Sequence, residues 1–232
     1  MNNSGLIIFS RLDSSRLPQK ALKKIGKKTL LEHVIDRAKQ VQGKKKIIIA
    51  TSKRTIDDQI ASFAKINSID IFRGNYKDIV KRAYDCCQFF NLKKFARICG
   101  DRPFFDPKIL NFLFAYLDRK KIDFATNNKI KTFPAGMVCE VLTFNTLKKI
   151  TFSTNHIYQR EHITDYIYKN EKEFKIFNYK CPIKGVQKKH FAVDTNEDLK
   201  KMNWFFENYN GNLSKISLKQ LIKLDDKYNE VS

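Results

Sequence analysis

Polar side chains follow the predicted strands of this chain at the points where the strands end. In open α/β sheets, ligands bind beyond the carboxyl ends of the parallel strands, so chemistry is expected at these positions. They are Arg11, Ser14, Ser15, Arg16 and Lys20 after the first strand, Thr51 and Ser52 after the second, Arg73 and Gly74 after the third, Gly100 and Asp101 after the fourth, and Asp194 and Thr195 after a late strand. One end of the sheet is therefore expected to gather cations, hydroxyls and two carboxylates.

This mixture of side chains suits a nucleoside triphosphate bound with magnesium. Arginine and lysine neutralise phosphate oxygens, and carboxylates hold a hard cation that prefers oxygen ligands. Each residue alone also has an ordinary explanation: Arg11 and Arg16 as solvated charges, Asp101 as a turn residue, and the run Asp194-Thr195-x-x-Asp198 as a helix start. Their joint occurrence favours the nucleotide interpretation.

The sequence lacks the familiar motifs for phosphate loops, covalent nucleophiles and zinc. Neither G-x-G-x-x-G nor G-x-x-x-x-G-K-[ST] occurs, so phosphate binding at the first loop would depend on side-chain cations. There is no G-x-S-x-G motif, and the four histidines lack metal-site spacing. The five cysteines are odd in number and lack C-x-x-C spacing, which favours buried thiols in a reducing compartment.

Short apolar runs alternate with helix-periodic segments through the first half of the chain. This alternation predicts an α/β fold with three layers, in which helices cover both faces of a mainly parallel, mixed sheet. Strands are predicted at residues 6–9, 47–50, 69–72 and 95–99. Helices are predicted after capping boxes at Thr29-x-x-Glu32 and Thr55-x-x-Asp58, over residues 79–90, and after Asp106-Pro107.

The alternation becomes less regular after residue 123. Strands are predicted at residues 124–125, 138–144, 174–179 and 191–193. Helices are predicted over residues 160–168, 196–209 and 217–228. Because no repeat or low-complexity linker interrupts the chain, we interpret residues 1–232 as a single domain, in which residues 130–180 elaborate the sheet.

The composition is that of a soluble protein with a strong positive charge. The 232 residues include 45 Lys and Arg against 24 Asp and Glu, a formal net charge of +21. These cations are spread along the chain without a basic helix, an RNA-reading aromatic motif or a zinc finger, so nucleic-acid binding is not expected. No apolar run approaches the ~20 residues of a membrane helix, and the first apolar stretch is too short for a secretory signal. The expected location is the cytoplasm, with no membrane partner.

Seven blocks of the sequence resemble one family, in that family's order. They are IIFSRLDSSRLPQKALKKIGKKTLLEHVIDRAKQ (7–40), IIIATS (47–52), FRGNYKDIVKRAYD (72–85), ARICGDRPFFDP (96–107), TFPAGMVCEV (132–141), QREHITDYIYKN (159–170) and FAVDTNEDL (191–199). Together they are similar to the sugar cytidylyltransferases, particularly the branch named for spore-coat polysaccharide biosynthesis, related to the acylneuraminate and 3-deoxy-manno-octulosonate enzymes. The resemblance implies a glycosyltransferase-A-like nucleotidyltransferase that uses Mg²⁺ to transfer CMP from CTP to a sugar or sugar acid, releasing pyrophosphate.

The resemblance also implies roles for individual residues. Those that match the family's triphosphate loop are Arg11, Ser14, Arg16 and Lys20. Asp101 and Asp194 match its metal-binding carboxylates. The blocks on the nucleotide side contain Arg73, Asp78, Arg97 and Gly100, and those on the acceptor side contain Glu140, Arg160, Glu161 and His162. Relatives commonly dimerise through the region corresponding to residues 130–180, so this region is expected to bind the acceptor or form a homodimer.

Two blocks depart from the family pattern. Asp13 and Gln19 replace glycines that relatives usually carry in the first loop, so a negative charge lies beside the proposed phosphate ligands. Ala135 and Val138 replace residues that are commonly Asp, which leaves Glu140 as the only carboxylate of its block. Three alternatives stay open: a nucleotidyltransferase that uses UTP or GTP, a noncatalytic binder of nucleotides or sugar phosphates, and a basic nucleic-acid protein.

Overall fold

The described part of this computed structural model, residues 3–231, contains nine β-strands in two sheets. In chain order they are β1 (Ser4–Phe9), β2 (Lys24–Ile25), β3 (Lys28–Thr29), β4 (Lys45–Ser52), β5 (Asp70–Gly74), β6 (Lys94–Cys99), β7 (Phe124–Thr126), β8 (Glu140–Thr143) and β9 (Ile176–Asn178). Seven strands form one sheet in the order β5-β4-β1-β6-β8-β7-β9, while β2 and β3 form an antiparallel hairpin. Neighbours from β5 to β6 are parallel, and β8 runs antiparallel to β6 and β7.

Helices cover both faces of this sheet. The α-helices within residues 3–231 are α1 (Leu30–Ala38), α2 (Asp58–Ile66), α3 (Ile79–Phe89), α4 (Pro107–Lys120), α5 (Phe144–Ser153), α6 (Ile157–Glu161), α7 (Asp165–Lys169), α8 (Asn196–Asn208) and α9 (Leu218–Val231). Side chains of α1, α2 and α4 share a core with one face of the sheet, and those of α3, α5 and α7 share a core with the other. The predicted three-layer α/β/α architecture with a mainly parallel, mixed sheet is confirmed.

The central strand β1 shows why its apolar run is continuous rather than alternating. Leu6 and Ile8 point into one core and Ile7 into the other, and all three are buried. A strand covered on both faces by helices has no solvent-exposed side, so every position favours an apolar residue. The predicted capping box at Thr29 and Glu32 is present and begins α1.

The strand predicted at residues 191–193 is wrong. This segment contains no strand residue, and its backbone instead joins two loops. The N–H of Phe191 donates to the carbonyl of Ala135 at 2.8 Å, and the N–H of Val193 donates to the carbonyl of Asp101 at 3.0 Å. Phe191 and Val193 are fully buried in a third core with α8 and α9. A buried irregular segment needs the same apolar residues as a buried strand, which explains the wrong prediction.

The capping box predicted at Thr55 and Asp58 is also wrong. A 3₁₀ turn covers Thr55–Asp57, and α2 begins at Asp58 without a side-chain cap. The spacing of Ile56, Ile60, Phe63 and Ala64 predicts one buried helix face. Ile56 is instead exposed, because it precedes α2, whereas Ile60 and Ala64 are buried and Phe63 is half-buried.

The helix predicted over residues 160–168 is interrupted. It forms two short helices, α6 and α7, because His162 adopts an extended backbone conformation at the end of α6.

Candidate functional site

A cleft of about 430 Å³ opens at the carboxyl ends of β1 and β6. The first loop, residues 10–21, forms one wall, the turn after β6 forms another, and the end of α6 contributes a single residue. Seven of the predicted site residues line this cleft: Arg11, Ser14, Arg16, Lys20, Gly100, Asp101 and Glu161. The structure therefore brings most of the predicted triphosphate loop to the same place as one predicted metal ligand.

Buried side chains and a closing hydrogen bond fix the shape of the first loop. Leu12 and Leu17 are buried, and the N–H of Gln19 donates to the carbonyl of Leu12 at 3.1 Å. Gln19 has φ of 55°, a left-handed conformation that favours glycine. The backbone here thus has the shape for which relatives usually carry glycine, although the side chain differs.

Gly100 stands at a close approach between the loops after β1 and β6. A Cβ atom at this position would lie 2.9 Å from Cβ and Oγ of Ser10. A side chain at this position would force Ser10 to shift, so glycine keeps the two loops closely packed beside Asp101.

Lys20, Asp101 and Asp194, which we name the cleft cluster, meet at one edge of the cleft. The Nζ atom of Lys20 lies 2.7 Å from Oδ2 of Asp101 and 2.8 Å from Oδ1 of Asp194. The guanidinium of Arg16 lies 3.1 Å from the same oxygen of Asp194. Two carboxylates that lie 93 positions apart in the sequence thus share one ammonium group, and a cationic loop residue contacts one of them.

The backbone explains how Asp194 reaches Asp101. The hydrogen bond from the N–H of Val193 to the carbonyl of Asp101 ties the two segments together one residue before Asp194. The carboxylate of Asp198 then accepts hydrogen bonds from the N–H groups of Asp194 and Thr195, both at 2.9 Å. The capping box of α8, formed by Thr195 and Asp198, therefore fixes the backbone beside Asp194.

The charges of the cleft cluster reinforce one another. Burial alone would lower the pKa of Lys20, but the charges of Asp101 and Asp194 and the hydrogen bonds to them hold that pKa above its usual value. Burial alone would raise the pKa of Asp194, but Lys20 and Arg16 hold it below its usual value. Lys20 and Asp194 are therefore charged at neutral pH.

Asp13 lines the cleft, but its carboxylate is paired with two arginines. Its carboxylate lies 2.8 Å from the guanidinium of Arg54 and 3.3 Å from that of Arg11. Burial would raise the pKa of Asp13, yet a hydrogen bond from Tyr76 and the two arginines hold it below its usual value. The guanidinium of Arg54 also stacks on the ring of Tyr76, 3.5 Å from its centroid. The negative charge of Asp13 is thus neutralised within the protein.

Arg54 and Tyr76 are not among the site residues predicted from the sequence. Arg54 follows β4 by two residues and Tyr76 follows β5 by two, so the rule that the strand ends carry the chemistry could have identified both. Their contact with Asp13 joins residues from three separate strand ends, and no local pattern indicates it.

Five predicted site residues lie in ion pairs away from the walls of this cleft. Asp78 accepts from Nε of Arg160 at 2.8 Å and caps α3, which ties that helix to α6. Arg97 donates to Glu140 at 2.7 Å, between β6 and β8. Arg73 donates to the carbonyl of Ser52 at 3.0 Å and pairs with Asp58.

Glu140 and His162 differ sharply in exposure. Glu140 is 1% exposed and accepts from the hydroxyls of Thr164 and Tyr168, each at 3.1 Å, in addition to its pairing with Arg97. His162 is exposed, with its ring 4.4 Å from that of Tyr158.

The donor set at the cleft edge fits magnesium. One nitrogen already contacts an oxygen of each of two carboxylates, so the two lie within joint reach of a single cation. Mg²⁺ is commonly bound by one or two carboxylates together with waters and substrate phosphates. In the described residues, no group of three or more His, Cys, Asp or Glu side chains could hold a metal ion together.

Comparison with known proteins identifies the family. A family model described as cytidylyltransferase matches residues 6–227. The spore coat polysaccharide biosynthesis protein SpsF of Bacillus subtilis is 26% identical over 231 residues, covering 97% of this chain and 94% of that protein.

Within residues 3–231, no helix is long and apolar enough to cross a membrane.

Solved structures agree with the fold. A cytidylyltransferase from Leptospira borgpetersenii is 29% identical, with a TM-score of 0.92 over 100% of this chain and 97% of that chain. A CMP:2-keto-3-deoxy-manno-octonic acid synthetase, solved with CTP, is 15% identical, with a TM-score of 0.65 over 88% of this chain and 98% of that chain. The expected glycosyltransferase-A-like nucleotidyltransferase fold is confirmed. The chain belongs to the cytidylyltransferase family and is a nucleotidyltransferase.

Proposed function

We propose that this protein transfers CMP from CTP to a sugar or sugar acid, with release of pyrophosphate, for the synthesis of a surface polysaccharide or glycan. Membership of the cytidylyltransferase family supports the reaction class. The similar synthetase solved with CTP supports the choice of nucleotide, and the similar spore coat polysaccharide protein supports the pathway class. CTP and the acceptor are the proposed partners.

The observation that carries the proposal is the cleft cluster and its position. Lys20 contacts Asp101 and Asp194 at the same edge of a cleft lined by Arg11 and Arg16. Two carboxylates that could bind one metal ion thus lie beside arginine side chains that could neutralise phosphates. This is the combination that a nucleoside triphosphate with a divalent ion needs.

The proposed reaction requires no nucleophile from the protein. An acceptor oxygen attacks the α-phosphorus of CTP in line with departing pyrophosphate, so the protein positions the reactants and neutralises charge. Arg11, Arg16 and Lys20 would neutralise the charge that develops on pyrophosphate, and Ser14 would donate to a phosphate oxygen. When bound by Asp101 and Asp194, Mg²⁺ would withdraw charge from the phosphate oxygens.

The residues around the cleft are proposed to hold its walls in place. Glu140 is buried and fully paired, so we propose that it positions β8 and α7 for the acceptor rather than touching it. The pairing of Arg160 with Asp78 would do the same for α6, which presents Glu161 to the cleft. Glu161 and His162 are exposed at this end of α6 and are the proposed acceptor contacts. Arg73, Arg97 and Gly100 would shape the nucleotide side.

The test is an assay of pyrophosphate release with CTP, UTP, GTP or ATP, Mg²⁺ and a panel of sugars and sugar acids. Mass spectrometry would identify the nucleotide conjugate that forms. We expect release only with CTP and an accepted sugar or sugar acid. Activity with UTP or GTP instead would change the nucleotide assignment, and CTP binding without release for any acceptor would indicate a noncatalytic binder.

Three wider expectations accompany this proposal. We propose a cytoplasmic protein that does not bind nucleic acid and that forms a homodimer. The assignment of residues 130–180 to acceptor binding or dimerisation within a single domain stays a prediction. Sedimentation of the protein with and without duplex DNA, at low and high salt, would test both the oligomer and the nucleic-acid expectation, because binding driven by charge depends steeply on salt.

A further inference from the structure

We propose that Lys20 is an internal counter-ion that holds the divalent-cation position in the free protein and leaves it when a nucleoside triphosphate binds. Nucleotide and metal would then bind cooperatively, and the free protein would bind the metal weakly. This inference rests on the proposed function, because it assumes that Asp101 and Asp194 are the metal ligands.

The first observation is that one ammonium group already satisfies both carboxylates. Nζ of Lys20 lies within hydrogen-bond distance of Asp101 and Asp194, and its side chain is 16% exposed. A divalent cation that contacts the same oxygens would have to share this space with a positive charge only a few ångströms away. Two like charges at such distances repel strongly in a partly buried site.

The second observation is that Lys20 has a place to move within the cleft. It lines the same cavity as Ser14 and Arg16, on the loop that would hold the triphosphate. A triphosphate offers the ammonium new anionic oxygens, so Lys20 can leave the two carboxylates without losing an ionic partner. The carboxylates are then free to bind the metal that the phosphates also bind.

The coupling must be reciprocal. If triphosphate binding removes the ammonium and so strengthens metal binding, then metal binding strengthens triphosphate binding by the same factor. Neither the metal ion nor the nucleotide would then bind tightly without the other. This arrangement would select the metal–nucleotide complex over the free metal or the free nucleotide.

The experiment measures Mn²⁺ binding to the full chain by electron paramagnetic resonance, without any nucleotide. Variants are Lys20→Met, with Lys20→Gln as a second substitution should the first fail to fold, and Lys28→Met as the control. Lys28 pairs with Asp36 outside the cleft, so its loss changes the net charge equally. We expect Lys20→Met to bind Mn²⁺ at least tenfold more tightly than the wild type, and Lys28→Met to resemble the wild type. The double variant Lys20→Met with Asp101→Asn should lose the gain.

A second measurement adds CTP. We expect CTP to tighten Mn²⁺ binding by a much larger factor in the wild type than in Lys20→Met. Unchanged Mn²⁺ affinity in Lys20→Met without nucleotide would overturn the inference, as would an equal gain in Lys28→Met. The nucleotide-free result does not depend on turnover, so a failure of the proposed transferase activity would be recognised separately by the absence of pyrophosphate release.

Discussion

Within residues 3–231, two clusters join lysines to more than one aspartate, and they differ in where the carboxylates lie. In the cleft cluster, Asp101 and Asp194 stand on loops, and their side chains are 23% and 21% exposed. In the second cluster, which we name the anchor cluster, Lys189 and Lys201 surround Asp225 of α9, whose side chain is 3% exposed. The same chemistry is therefore open to a ligand in one place and sealed in the other.

The anchor cluster fixes the backbone of the segment that carries Asp194 of the cleft cluster. Lys201 of α8 also donates to the carbonyl of His190 at 3.1 Å, so α8 and α9 hold the segment that leads into Asp194. The N–H of Ala135 donates to the carbonyl of Lys189 at 3.1 Å, which adds the loop before β8. The buried ion pairs fix the backbone, and the exposed ones are left able to exchange partners.

The largest effect on stability is expected from the anchor cluster. Asp225→Ala leaves two lysines without their buried partner, which typically costs about 3–5 kcal/mol. Urea denaturation would measure this loss. Asp226→Ala is the control, because Asp226 pairs with Lys189 but is 56% exposed, and its loss should cost at most about 1 kcal/mol. Equal effects of the two substitutions would contradict the claim that the burial of Asp225 makes its ion pairs matter more than those of an exposed carboxylate.

The largest effect on activity is expected from the cleft cluster. Asp101→Asn should lower turnover by about 10²–10³-fold, the usual loss when one preorganised electrostatic group is removed. The free energy of unfolding should change by less than about 1 kcal/mol, because the lost ion pair is partly exposed. Asp36→Asn, which breaks a single pair with Lys28 outside the cleft, is the matched control and should keep wild-type turnover. Near wild-type activity in Asp101→Asn would refute its assigned role.

The cleft cluster should also show its own pH dependence. The depressed pKa of Asp194 makes its contribution to stability present above about pH 4 and lost as the pH falls through the folded value. The raised pKa of Lys20 makes its contribution present below about pH 10.4 and lost as the pH rises through the folded value. Wild type should therefore exceed Lys20→Met in stability by about 1 kcal/mol at neutral pH, with a smaller difference at both extremes. A difference independent of pH, in urea titrations from pH 3 to pH 11, would contradict this.

The smallest effect is expected from the first loop. Gln19→Gly removes the strain of a left-handed residue, about 1–2 kcal/mol, but adds about 0.5–1 kcal/mol of unfolded-chain entropy. The net gain in stability should be between 0 and about 1 kcal/mol, measured by thermal unfolding. A loss of more than about 1 kcal/mol would show that the Gln19 side chain has a role that its backbone conformation does not explain.

The sequence predicted those parts of the fold that depend on local patterns. Three features that depend only on residues close together in the sequence are present. They are the apolar run of β1, the capping box at Thr29 and the Asp106 cap of α4. The strand prediction at residues 191–193 was wrong, because these residues are apolar for burial in a core and not for pairing in a sheet. The capping box predicted at Thr55 and Asp58 was also wrong. The neighbouring Asp57 is buried and accepts a hydrogen bond from the N–H of Leu12 at 2.9 Å, so this turn is held by the first loop.

The candidate site was predictable as a list of residues but not as a set of contacts. The rule that ligands bind at strand ends placed Lys20 and Asp101 at one edge, because β1 and β6 are parallel and end together. It placed Asp194 there through a strand at residues 191–193 that is not present. It could not show that Lys20 bridges the two carboxylates, since that contact depends on packing between segments far apart in the chain. The same limit applies to Asp13, which looked unfavourable beside phosphate ligands but pairs with Arg54.

Crystals grown with CTP and Mn²⁺, measured at the manganese absorption edge, would test the central claim most directly. We expect one ion about 2.1 Å from a carboxylate oxygen of both Asp101 and Asp194, the distance typical of a Mg²⁺-like ion. Nζ of Lys20 should then contact the triphosphate. An ion that touches neither carboxylate, or a Lys20 that still bridges both of them with the nucleotide bound, would contradict this claim.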